Sequence, residues 1–123
     1  MVEISDEQFA ELIDQAIAHL PKDHQKSIQN VAFLYEDEPT ADQREALKLQ
    51  CNQTLYGLYQ GVPLTKRQGV TSYRPDRITI FKGPITRAAQ NVAELKEMIR
   101  HTVWHEVAHY FGLDHDQIHH LER

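Results

Sequence analysis

The segment from Asn91 to Gly112 constrains the fold of this 123-residue chain more than any other. Asn91, with Glu94 three residues later, resembles a capping box, and Gly112 supplies a natural helix stop. At 100° per residue, the apolar residues between them cover most of the circumference of a helix; they are Val92, Leu95, Met98, Ile99, Val103, Trp104, Val107, Ala108, Tyr110 and Phe111. Because such a helix must be covered by the rest of the domain, we predict that it is buried.

Shorter segments predict a second helix and three strands. From Asp6 to Leu20 the apolar residues form one stripe of an amphipathic helix, with Ser5 as its cap. Three runs rich in β-branched, aromatic or other apolar residues predict strands: Asn30–Glu36, Gln53–Gln60 and Arg77–Lys82.

Other segments complete the expected order of elements. Gly83 and Pro84 should end the third strand. Ala41–Leu49 is compatible with a short helix or an irregular segment, and Asp116–Glu122 could add a short terminal helix. No repeat or linker interrupts the chain, so we expect one α+β domain over residues 1–123.

Composition narrows the functional classes. Apolar residues make up 41% and charged residues 25%, as in ordinary globular proteins. Thirteen basic and 18 acidic residues give a net charge of −5. The net charge therefore provides no general electrostatic attraction to nucleic acids or anionic membranes. Cys51 is the single cysteine, and no run approaches the roughly 20 apolar residues of a membrane helix. Since a basic, apolar secretory signal is also missing, we expect a soluble cytoplasmic protein.

The histidines cluster near the end of the chain. Six of the eight lie between His101 and His120, and histidine is the commonest metal ligand. His105 and His109 are four residues apart, so both imidazoles lie on one face of the helix and can reach one ion. Glu106 is rotated by about 100° and stands beside that ion, which suits a base for activating water.

A third ligand would complete a catalytic zinc site. Gly112 lets the chain turn after the helix, so that His115 can approach the same ion. Three protein ligands leave one tetrahedral position for water, which zinc acidifies and Glu106 could deprotonate. The alternative, that His105 and His109 only line a buried helix, would bury them without partners at a cost of several kcal/mol.

The sequence HEVAHYFGLDH, from His105 to His115, resembles the long zinc signature of metzincin-type metallopeptidases. More widely, the chain is similar to a family of small bacterial zincin-like metallopeptidases in three segments: Leu55–Arg67, Pro75–Ile85 and Thr102–Asp114. The resemblance implies one Zn²⁺ per chain, held by His105, His109 and His115, with Glu106 as the general base. It also implies a small zincin-like fold, with a short mixed sheet packed on the N-terminal helix and the active-site helix.

The chain departs from true metzincins in one respect. Those enzymes carry a methionine-containing turn downstream of the third ligand, whereas only eight residues follow His115 and none is methionine. The chain is therefore similar to a pared-down metzincin. Similar proteins often carry aspartate at the position of His115, and either residue can bind zinc.

The leading interpretation is zinc-dependent hydrolysis of peptide bonds in a peptide or protein, with no membrane partner and with nucleic acid disfavoured by the net charge. In zincins an extended substrate pairs with a sheet edge, for which Leu55–Gln60 or the loop after it is the candidate here. Two alternatives stay open. One is a zinc-bearing domain that binds a partner with little or no activity. The other is an endoribonuclease with three histidines at this spacing, for which the basic residues of Lys66–Arg77 form a conceivable patch, although a solvated loop is simpler.

Several residues have open roles. His101 lies one turn before His105 and is either a helix-surface residue or a support for the ligands. Asp114 and Asp116 could orient a ligand, and Asp116 could replace His115. The hydroxyls of three tyrosines are candidates to stabilise a reaction intermediate, with packing as the simpler role: Tyr56, Tyr59 and Tyr73.

Overall fold

The structure, a computed structural model, describes residues 1–28, 30–50, 56–61, 76–113 and 117. Within these ranges the helices are α1 (Asp6–Ala18), α2 (Lys22–Ser27), α3 (Ala41–Gln50), α4 (Lys82–Ala88) and α5 (Val92–Tyr110). The strands are β1 (Val31–Glu36), β2 (Gly57–Gln60) and β3 (Asp76–Phe81).

The three strands form one mixed sheet. Their order is β1-β3-β2, with β1 parallel and β2 antiparallel to the central strand β3. Phe33 pairs with Ile78 on one side of β3, and Tyr59 pairs with the same residue on the other. The described sheet is therefore mixed, as expected, and β2 is one of its outer strands.

The main core lies between one face of the sheet and two helices, α1 and α5. It joins buried residues of all three elements, among them Phe9, Ile13, Ile78, Ile80, Leu95, Ile99 and Val103. Alternation along the strands sends Leu58 and Phe81 to the opposite face, where Ala46 of α3 packs against them. This arrangement places α5 directly beneath β2 and β3.

Local sequence signals set the ends of the two main helices. The Ser5 hydroxyl accepts from the Gln8 N–H, while the Gln8 side chain accepts from the Ser5 N–H, a complete capping box at α1. The Asn91 side chain accepts from the N–H of Glu94 at the start of α5. At its end Gly112 has a φ of 89°, a left-handed conformation that glycine adopts without strain.

Most predicted elements are confirmed, and two helices correct the prediction. The strand expected to reach Lys82 ends at Phe81, where α4 begins at once. Pro84 lies in the first turn of α4, where a proline is tolerated because its missing N–H would have no helical partner. The polar helix α2 was not predicted because its six residues carry no apolar stripe. The ambiguous segment before β2 is the helix α3, capped by Thr40 and Gln43.

The expected burial of α5 holds for its second half. From Thr102 to Tyr110 every residue but Trp104 is buried, whereas the first half exposes Val92 and Arg100. The predicted terminal helix and the start of the second predicted strand lie outside the described residues, apart from Gln117. No helix in the described part of the chain is long and apolar enough to cross a membrane.

Candidate metal centre

The buried half of α5 carries the predicted chemistry. Glu106 is 1% exposed, and His105 and His109 are 6% and 7% exposed. Glu106 faces β2. At 100° per residue, the two histidines lie together on the neighbouring side of α5. The helix thus places two imidazoles and one carboxyl side by side in a position largely buried from solvent.

The two imidazoles have a separation that suits one shared ion. Their ring centroids are 5.0 Å apart, and the ring planes meet at 73°. Two imidazoles bound to one tetrahedral zinc, each at about 2.0–2.1 Å, have centroids roughly 5 Å apart. The Nε2 atoms of both rings are buried. The residues present therefore fit the two-histidine part of a zinc site.

The Glu106 carboxyl is held by the neighbouring strand. Its Oε1 accepts a hydrogen bond from the backbone N–H of Tyr59 at 2.9 Å. Burial raises the pKa of Glu106 from its ordinary value of 4.5 to about 8, and the Tyr59 N–H opposes the shift by stabilising the ionised form. A cation bound beside the carboxyl would also favour the ionised form.

The N–H that holds Glu106 belongs to the outer edge of the sheet. Phe81 donates to the carbonyl of Tyr56 at 2.8 Å, so the peptide groups of alternate residues of β2 face β3. Those of Gly57 and Tyr59, which lie between them, are directed away from β3. The Glu106 side chain, which comes from α5 on one face of the sheet, therefore meets β2 at its outer edge.

The third predicted ligand, His115, lies outside the described residues, as do Asp114 and Asp116. In the described ranges, no three or more His, Cys, Asp or Glu side chains converge as a metal site. His101 is exposed, and its ring centroid lies 6.4 Å from that of His105. Its position is compatible with either of its predicted roles.

Of the three candidate tyrosines, Tyr59 packs in the core. Tyr59 is 2% exposed, and its hydroxyl donates to the Asp76 carboxylate at 2.7 Å. This hydroxyl is therefore engaged in the core, which confirms the packing role for Tyr59. Tyr56 is half-buried against the main core, and Tyr73 lies outside the described residues.

The sequence prediction missed the hydrogen bond from the Tyr59 N–H of β2 to Glu106. A backbone N–H has no sequence signature, and Tyr59 lies 47 residues from Glu106 along the chain. One signal was present, since Gly57 interrupts an apolar strand, and glycine inside a strand often marks a close approach of another element.

Comparison with known protein families gives a match. The sequence model of the zincin-like metallopeptidases matches residues 28–123, which is everything from the end of α2 onward. The chain belongs to the zincin-like metallopeptidase family. No curated protein matches the chain. Family membership confirms the expected zincin-like α+β fold and indicates, in general terms, a zinc peptidase.

Proposed function

We propose that this zincin-like chain hydrolyses peptide bonds with one bound Zn²⁺, using Glu106 as the general base. His105, His109 and His115 would hold the ion. Zinc, when bound, polarises the peptide carbonyl and makes a water molecule more acidic.

The observation that carries the proposal is the buried carboxyl beside two imidazoles. Glu106 is 1% exposed, adjoins the histidine pair and is fixed by the Tyr59 N–H at 2.9 Å. A purely structural helix would gain nothing from burying a carboxyl here, because an apolar side chain would avoid the desolvation cost. A general base, in contrast, benefits from a low-dielectric position and a fixed orientation.

Glu106 would move the proton in both halves of the reaction. One carboxyl oxygen stays with the Tyr59 N–H, and the other accepts a proton from the attacking water. The same oxygen then donates that proton to the nitrogen of the departing amine. In the metal-free protein burial raises the pKa of Glu106 to about 8, whereas a cation bound beside the carboxyl would favour the ionised form that the first transfer needs.

The substrate would be an extended peptide or protein segment. The outward peptide groups of β2, other than the Tyr59 N–H that Glu106 occupies, offer an edge with which such a segment can pair, close to Glu106. This edge is the part of the predicted Leu55–Gln60 segment that the structure describes.

The substitution Glu106→Gln tests this function. It removes the base but keeps the size of the side chain and an oxygen for the Tyr59 N–H. We expect peptide cleavage to fall by at least about 100-fold while zinc stays bound. A peptide library analysed by mass spectrometry gives the rate, and elemental analysis gives the zinc content.

Glu97→Gln is the matched control because Glu97 is an exposed residue of the same helix. Cleavage by Glu106→Gln at the wild-type rate would contradict the role of Glu106. If the zinc-loaded wild-type protein cleaves no peptide, the partner-binding alternative replaces the enzyme. Cleavage of RNA but not of peptides would support the endoribonuclease alternative.

A further inference from the structure

β2 and α5 approach each other unusually closely at Gly57. A Cβ atom built at this position would lie 2.6 Å from Cγ2 of Thr102, 3.2 Å from Cγ of Glu106 and 3.3 Å from the Thr79 carbonyl oxygen. Real Cβ atoms essentially never come within 3.0 Å of such a neighbour. Any other residue at position 57 would therefore displace the Thr102 side chain or move the strand and the helix apart.

The same approach lets Glu106 reach the strand. Gly57 and Tyr59 are two residues apart on β2, so they share one face of the strand and one set of outward peptide groups. The aliphatic part of Glu106 passes the space at Gly57, and its carboxyl meets the Tyr59 N–H at 2.9 Å. The bond thus depends on the missing side chain two residues away.

We propose that Gly57 and the Tyr59 N–H are the positioning groups of Glu106. Gly57 sets the distance between helix and strand, and the N–H binds one carboxyl oxygen, which leaves the other oriented for proton transfer. The proposal rests on the proposed function of Glu106 as a base. It makes the edge strand a part that aligns the base, in addition to any contact with substrate.

The bond also fixes which side-chain torsions Glu106 can adopt. A glutamate has three rotatable side-chain bonds, and a carboxyl held at one oxygen loses most of this freedom before substrate arrives. An error of about 1 Å in the position of a catalytic group can cost on the order of 100-fold in rate. We therefore expect a larger loss of catalytic rate when the gap between β2 and α5 widens than when one surface contact is removed.

The substitution Gly57→Ala should widen the gap between β2 and α5, and the addition of Thr102→Ser should close it again. The serine lacks Cγ2, the atom that the new Cβ would meet at 2.6 Å, but keeps the hydroxyl that donates to the Met98 carbonyl. Hydrogen exchange of individual backbone amides in the ¹⁵N-labelled, metal-free protein gives a readout that needs no substrate. The Leu58 N–H is the internal control because it faces β3 rather than Glu106.

We expect the Tyr59 amide to exchange at least tenfold faster in Gly57→Ala, with little change at Leu58. The double variant Gly57→Ala/Thr102→Ser should restore the slow exchange, and Thr102→Ser alone should match the wild type. A general loss of stability would instead accelerate both amides together. Equal acceleration of the two amides, or no change at Tyr59, would overturn the proposal.

Activity gives a second, independent readout. With the peptide substrate found for the wild type, Gly57→Ala should lower kcat at least tenfold, keep KM within about threefold and retain zinc. The double variant should recover most of kcat. Unchanged kcat in Gly57→Ala would overturn the positioning role, whereas full activity of Glu106→Gln would overturn the proposed function even with the exchange pattern intact.

Discussion

The metal-free protein should lose stability as the pH rises, and Glu106→Gln should remove much of that loss. Burial raises the pKa of Glu106 from 4.5 to about 8, against the smaller opposing effect of the Tyr59 N–H. Glutamine has nearly the same shape, is neutral at every pH and can still accept from that N–H. The substitution therefore removes the ionisation and leaves the packing almost unchanged.

The sign of the effect follows from proton binding. Between pH 4.5 and pH 8 the folded protein keeps a proton on Glu106 that the unfolded chain has released. Stability from this carboxyl is therefore complete below pH 4.5 and is lost as the pH rises toward 8. The slope is about 1.4 kcal/mol per pH unit, which gives roughly 3 kcal/mol between pH 5.5 and pH 7.5.

Urea unfolding of both proteins in the presence of a chelator measures this difference. Trp104, the only tryptophan of the chain, packs against the core and reports unfolding by fluorescence. The two proteins differ only at position 106, so the difference between their unfolding free energies reports on Glu106. If the two proteins show parallel pH dependences, the carboxyl is not held in its protonated form and the reasoning fails.

Two smaller effects on stability follow from hydrogen bonds. Tyr59→Phe removes the buried bond to Asp76, which should lower the free energy of unfolding by about 2 kcal/mol in urea titrations; a loss under about 0.5 kcal/mol would contradict the importance of this bond. Asn91→Ala removes the cap of α5 and should cost about 1 kcal/mol by the same assay, while Asn91→Ser should restore most of it; equal loss in both variants would mean that capping is not the cause.

The sequence predicts most of the fold because its signals are local. The cap at Asn91, the apolar spacing that follows and the stop at Gly112 all act within one helix, and the structure confirms each. The helix α4 was missed because Pro84 signals a turn as readily as a first helical turn. The polar helix α2 carries no apolar pattern at all.

The candidate site also has a part that local sequence signals predict and a part that they do not. The positions of His105, Glu106 and His109 follow from helical geometry alone, so the sequence places them together on α5. The hold of the Tyr59 N–H on Glu106 depends on how β2 packs over α5, which no local pattern encodes. His115 lies outside the described residues, and its role as third ligand stays a prediction.

The most direct test of zinc binding by α5 is the metal content of the protein purified without a histidine tag. Elemental analysis should give one zinc per chain for the wild type and for His101→Ala, the matched control one turn away on the same helix. His105→Ala should lose the zinc while circular dichroism shows that it remains folded. A wild-type protein that contains no zinc and takes up none when zinc is added would contradict the metal centre and the peptidase built on it.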